Sequence, residues 1–197
     1  MMLAGCAELR ERPTAPPPEL SAGGEPLRAE AEALVLAFAD GGRALTGRPA
    51  EMALAVARLE YMTEALASDL RLASVPERVR FLMVSARRES RGALGMAEGA
   101  PPGRAVDVLL ATRRALLARD EPSARAAMAP IVRPGGLPPL GRLADMGGLP
   151  QAAIATAILR DEIVRLDLER GWRAGPLPSE SPFGGISTVG LGGNTDR

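Results

Sequence analysis

Three arginines have the types and spacing that could grip a charged ligand: Arg80, Arg87 and Arg91. On a helix they share one side. A guanidinium presents its donors as a planar fork that matches a carboxylate or a phosphate, so these three are candidate anion contacts. The wider stretch also holds Arg78 and Arg88. Glu77 and Glu89 lie close in sequence, and the alternative is a solvated helix face partly neutralised by its own acids. Further along, Asp161, Glu162, Asp167 and Glu169 offer hard oxygen ligands. They alternate with Arg160, Arg165 and Arg170, the pattern of surface ion pairs of small individual worth. No metal site is expected from them.

Composition removes many other chemistries. All 24 basic residues are arginine, there is no lysine or histidine, and a single cysteine is present. No side chain titrates near neutrality unless perturbed. There is no amine for a Schiff base, no disulfide within the chain and no thiolate cluster for a metal. No P-loop, EF-hand or G-x-S-x-G pattern occurs, and no cofactor is expected. The 24 acidic residues cancel the arginines, so no overall field draws in nucleic acid. An enzyme built from this chain would have to work with carboxylates, hydroxyls and arginine.

Two short stretches resemble known families. Leu3-Ala4-Gly5-Cys6 resembles the lipobox of bacterial lipoproteins, in which an aliphatic residue and two small ones precede a cysteine. The resemblance implies a diacylglyceryl group on Cys6, which becomes the first residue after cleavage. Two acyl chains suffice for stable membrane attachment. With Ala7 following, the resemblance implies the outer membrane, facing the periplasm. It also implies a charged and apolar leader encoded upstream of Met1. Separately, Glu89-Ser90 with Gly92-Ala93-Leu94-Gly95-Met96 resembles lytic transglycosylases. There a glutamate before serine is the general acid and a Gly-Ala-x-Gly-Leu-Met segment follows. That resemblance implies glycan cleavage through Glu89. Aromatics are only 3% of the chain, which leaves few rings to stack on sugars.

The elements that must position these residues are helical. Alanine, leucine, arginine and glutamate abound, and they lose little side-chain freedom in a helix. Residues 7–25 carry Pro13, Pro16, Pro17, Pro18, Gly23 and Gly24 and read as a flexible tether. Pro26 opens a helix with Leu27, Leu34, Val35 and Phe38 inward, ending at Gly41-Gly42. A second runs from about Thr46–Pro49 to Leu72, with Met52, Val56, Leu59, Met62, Leu66 and Leu70 on one face. Ser74-Val75-Pro76-Glu77 has the form of a capping box ahead of a third helix, which carries Val79, Leu82, Met83 and Ala86 and fades at Gly92 or Gly95. A fourth follows Pro101-Pro102 with Val106, Leu109, Leu110, Leu116 and Leu117 inward, and Asp120 starts a short fifth. The Pro/Gly-rich stretch 131–149 contains one or two helical turns. The last long helix starts at Pro150, with Ile154, Ala157, Ile158, Val164 and Leu168 inward and an outer ladder of Asp161, Arg165 and Glu169. Trp172 is a candidate plug on the bundle or partner contact.

The sequence therefore predicts an all-α chain: an antiparallel bundle of about five to six helices over residues 26–172. Residues 1–25 form the lipobox and tether, and residues 173–197 a disordered tail. The leading functional expectation is a non-catalytic interaction or structural module. It is held to the membrane through diacylglyceryl-Cys6, has an envelope protein as partner, and does not bind nucleic acid. The alternatives are a peptidoglycan-acting enzyme using Glu89 and a bundle that carries an acyl chain.

Overall fold

A computed structural model of the chain describes residues 17–20, 26–133 and 138–169. The lipobox with Cys6, most of the tether, Trp172 and the C-terminal tail lie outside the described residues. Within them the fold is all-α: Pro26–Phe38 (α1), Pro49–Ser68 (α2), Glu77–Leu94 (α3), Pro102–Leu117 (α4), Glu121–Met128 (α5), Pro139–Ala144 (α6) and Pro150–Leu168 (α7). Helix α6 is the short helical turn expected inside the Pro/Gly-rich connection. Proline opens five of the seven, where its missing N–H has no intrahelical partner to lose and its fixed φ suits the first turn. No helix among the described residues is long and apolar enough to cross a membrane.

Helix α2 is the hub. It packs most extensively on α4 and also meets α1, α3 and α6. Its sequence, rich in alanine around Met52, Val56, Leu59, Met62 and Leu66, is buried on nearly every side. A helix that is apolar almost all round belongs in an interior. Interhelical bonds fix the directions. Arg91 of α3 meets Glu60 of α2, while Arg80 reaches Leu66, so α2 and α3 run antiparallel. Arg28 Nη2 of α1 lies 3.0 Å from Asp167 Oδ2 of α7. At the other end the Leu149 amide donates to the Gly41 carbonyl at 3.0 Å, so α1 and α7 are antiparallel too. Gly41 has φ +73°, and a Cβ there would sit in contact with the Leu149 backbone at 3.4 Å. The positive φ favours glycine there.

Several boundaries and faces depart from the sequence reading. Helix α2 stops at Ser68 rather than Leu72. Asp69 is extended, and its carboxylate accepts from the Arg71 amide at 2.9 Å, a local bond that competes with helix continuation. Leu70 is consequently exposed instead of inward. The Ser74–Glu77 capping box does not form, because Pro76 occupies the cap position and no side chain bonds there. Leu117, on the last turn of α4, is also exposed.

The largest difference is the rotation of α7. Its buried face is Ala152, Ala155, Thr156, Leu159, Glu162, Ile163 and Leu166, whereas Ile154, Val164 and Leu168 are exposed. Of the expected Asp161–Arg165–Glu169 ladder, the Arg165–Glu169 rung forms and the Asp161–Arg165 rung does not. Arg165 pairs with Glu162 and Glu169, while Asp161 has Arg160 at 3.6 Å. Apolar residues occur on both sides of α7, so period alone does not choose between them. Two anchors make the choice. Glu89 of α3 holds its first turn, and Arg165 Nη2 donates to the Ser74 carbonyl at 3.2 Å near its end. Small Ala152 and Ala155 then face inward, where α1 and α3 pack closely.

Candidate functional site: an arginine-lined cleft at the end of α3

Glu89 has both carboxylate oxygens engaged. Oε1 accepts from the Gln151 amide at 3.1 Å and Oε2 from the Ala152 amide at 3.0 Å. These are first-turn N–H groups of α7, which have no intrahelical acceptor, and a negative charge there also meets the positive end of the helix dipole. Glu89 thus caps a neighbouring helix. Ser90 beside it is buried and its hydroxyl donates to the Arg87 carbonyl at 2.9 Å.

The three arginines of the shared face have three different surroundings. Arg80 turns to the C-terminal end of α2. Its Nη1 donates to the Leu66 carbonyl. Nη2 donates to Leu72 at 2.8 Å, and Nε to Val75 at 3.2 Å. It ties together the carbonyls of a helix end and the turn that follows. Arg91 closes on Glu60, with Nε to Oε1 at 2.6 Å and Nη2 to Oε2 at 2.7 Å. Glu60 is 0% exposed. Arg91 Nη1 adds a bond of 2.9 Å to the Ala100 carbonyl. This is a bidentate, buried, charge-assisted pair that also pins the turn between α3 and α4. Arg87 is the intermediate case. Its Nη1 lies 3.7 Å from Glu64 Oε2, yet this nitrogen is sealed from solvent with no hydrogen-bond partner among the described residues.

Arg87 and Arg91 also form part of a cleft of about 610 Å³. Helix α3 supplies Val84, Arg87, Arg88, Arg91 and Gly92 to its wall. The spacing 84, 87, 88 and 91 is one helical stripe. The turn after α3 contributes Met96 and Glu98, and a remote segment adds Arg133. An antiparallel bridge between Met96 and Val132 brings that last residue in. In it the Ala97 amide donates to Ile131 at 2.8 Å and the Arg133 amide to Gly95 at 3.0 Å. Gly95, at φ +69°, ends α3, and the Arg142 guanidinium occupies the place a Cβ would need. A side chain at 95 would therefore displace Arg142 and strain the turn on which the bridge is built.

Four arginines and one acid, Glu98, line the cleft. Glu60 balances Arg91, and Glu64 lies against Arg87. Arg88 and Arg133 are exposed and have no ion pair among the described residues. Two exposed arginines against the single acid Glu98, beside two arginines held by Glu60 and Glu64, leave the cleft with a positive balance. Sequence reasoning named Arg87 and Arg91, and noted Arg88 in passing. It missed Glu60, hidden in an apolar stripe, and Arg133, which only the bridge brings near. Arg80, the third candidate anion contact, lies outside the cleft lining.

The four acids near the end of α7 are engaged by arginines. Asp167 lies on Arg28, Glu162 and Glu169 on Arg165, and Asp161 beside Arg160. A second interhelical pair, Arg58 Nε to Glu30 Oε2 at 2.7 Å, joins α2 to α1. Burial raises the Glu30 pKa above the ordinary carboxylate value even though Arg58 opposes the shift. No protein-family model, curated protein or solved structure matches this chain.

Proposed function

We propose that the protein is a non-catalytic binding module, anchored to the bacterial cell envelope through a diacylglyceryl group on Cys6 and facing the periplasm at the outer membrane. The engagement of Glu89 carries the non-catalytic part of this reading. A glutamate whose two oxygens each hold a backbone amide of α7 is poorly placed to protonate a glycosidic oxygen. Moving it would release two first-turn amides of α7 that have no intrahelical acceptor. The lipobox residues Leu3-Ala4-Gly5-Cys6 support the anchor, and the arginine-lined cleft supports binding over chemistry.

Two measurements test the reading. In a bacterium expressing the gene with its upstream DNA, mass spectrometry should find Cys6 acylated in the membrane fraction, and Cys6→Ser should move the protein out of that fraction. An unmodified thiol in a membrane-free fraction would reject the anchor. Purified protein incubated with peptidoglycan should release no soluble muropeptides. Release that disappears in Glu89→Gln would replace the binding reading with hydrolysis.

A further inference from the structure

We propose that the cleft at the C-terminal end of α3 binds a phosphate monoester, with Arg88 and Arg133 contacting the phosphate. The inference rests on the reading of the protein as a binding module and names the chemistry of its ligand. Charge supports it first. Arg91 is balanced by Glu60 and Arg87 lies by Glu64, which leaves Arg88 and Arg133, both exposed and without ion pairs among the described residues, against the one acid Glu98 in the lining. A phosphate monoester carries between about −1.5 and −2 charges at neutral pH and three strong acceptor oxygens, which suits two planar forks.

Size supports it next. A volume of about 610 Å³ lies within the range of small-molecule sites, about 300–1,000 Å³, and exceeds what bare phosphate would fill. The remainder of the ligand would lie along Val84, Met96 and Gly92, the uncharged part of the lining. A Cβ built on Gly92 meets nothing within 4 Å, so the wall is open there. Rigidity supports it last. The Arg91–Glu60 pair and the Met96–Val132 bridge set the two sides of the cleft before a ligand arrives, so less ordering opposes binding.

The same phosphate chemistry is found in a soluble metabolite and in a lipid headgroup, and two probes separate them. Full-length protein is titrated calorimetrically with glycerol 3-phosphate at low ionic strength. It is also floated with phosphatidylcholine vesicles that contain phosphatidic acid. Arg88→Ala and Arg133→Ala should each weaken binding about tenfold or more, the effect of losing a charge-assisted hydrogen bond. Arg78→Ala, exposed at the far end of α3, should change it little. Gly92→Leu should close the cleft while the helix melts no earlier than in the native chain.

Binding of glycerol 3-phosphate with this pattern supports a soluble ligand. Flotation alone with this pattern supports a lipid headgroup. Equal affinity in the native chain and in the Arg88→Ala/Arg133→Ala double variant overturns the proposal, as does no binding of either probe. Should the cleft fail while Cys6 is acylated and peptidoglycan stays intact, the module reading stands without this ligand. Phosphate binding together with Glu89-dependent hydrolysis would reject the module reading and leave the cleft.

Discussion

The two ends of α3 present the same residue type to different neighbours. Near its start, Arg80 meets the carbonyl-rich end of α2 and is consumed by it, bonding Leu66, Leu72 and Val75. Near its end, Arg91 meets a buried carboxylate and locks onto it, while Arg88, one helical turn away, meets no acid among the described residues. Arginine at helical spacing therefore does not define a surface by itself. What the opposing element offers decides whether each guanidinium is structural or available. The end of α3 is where the two roles adjoin, a fixed inner pair beneath an outward-facing rim.

Substitutions should widen or erase that contrast. The greatest loss is expected at the inner pair. Arg91→Ala leaves the carboxylate of Glu60 buried without its cation and should lower unfolding stability by about 3–5 kcal/mol, read by denaturant titration. The double variant Glu60→Leu/Arg91→Met should be much closer to the native chain, because it leaves no charge stranded. If both variants lose equally, packing rather than charge dominates there.

At the other end of α3, Arg80→Ala should cost about 1–3 kcal/mol by leaving the carbonyls of Leu66 and Leu72 short of a donor. Glu89→Ala, which uncaps α7, should cost about 0.5–2 kcal/mol and should raise amide exchange first at Gln151 and Ala152. Loss of protection spread evenly over the bundle would contradict a local capping role.

Acid should expose a gentler effect. The side-chain hydrogen bond from Arg71, helped by the Arg71 amide, holds the Asp69 carboxyl below its ordinary pKa despite partial burial. Its contribution is complete above the unfolded-state pKa and is lost as pH falls through the folded value. Glu30 has the opposite sign: burial raises its pKa, so its contribution is complete below the unfolded value and declines as pH rises through the folded one. Asp69→Asn should flatten the acid limb of the stability curve, and Glu30→Gln should remove the opposing slope. The smallest effect is expected at the rim, where Arg88→Ala should change stability by no more than about 0.5 kcal/mol. A larger loss would mean that Arg88 is structural like Arg80.

Much of this fold is legible in the chain itself. Proline at helix starts, the 3–4 spacing of Met52, Val56, Leu59, Met62 and Leu66, Asp120 before α5 and Gly95 after α3 are local signals. They set which segments are helical, because capping, φ restriction and side-chain entropy act over a few residues. The lack of lysine and histidine is equally a property of the sequence, and it narrows the available chemistry.

Which face of each helix turns inward was decided by tertiary contacts. Helix α7 has apolar residues on both sides, and with Glu89 and Arg165 anchoring its two ends Ala152 and Ala155 lie inside and Ile154 and Leu168 outside. The cleft likewise depends on Arg133 arriving from a distant segment through the Met96–Val132 bridge. Periodicity records how polar each side of a helix is, whereas rotation and long-range pairing are settled by which partner competes best for the same groups.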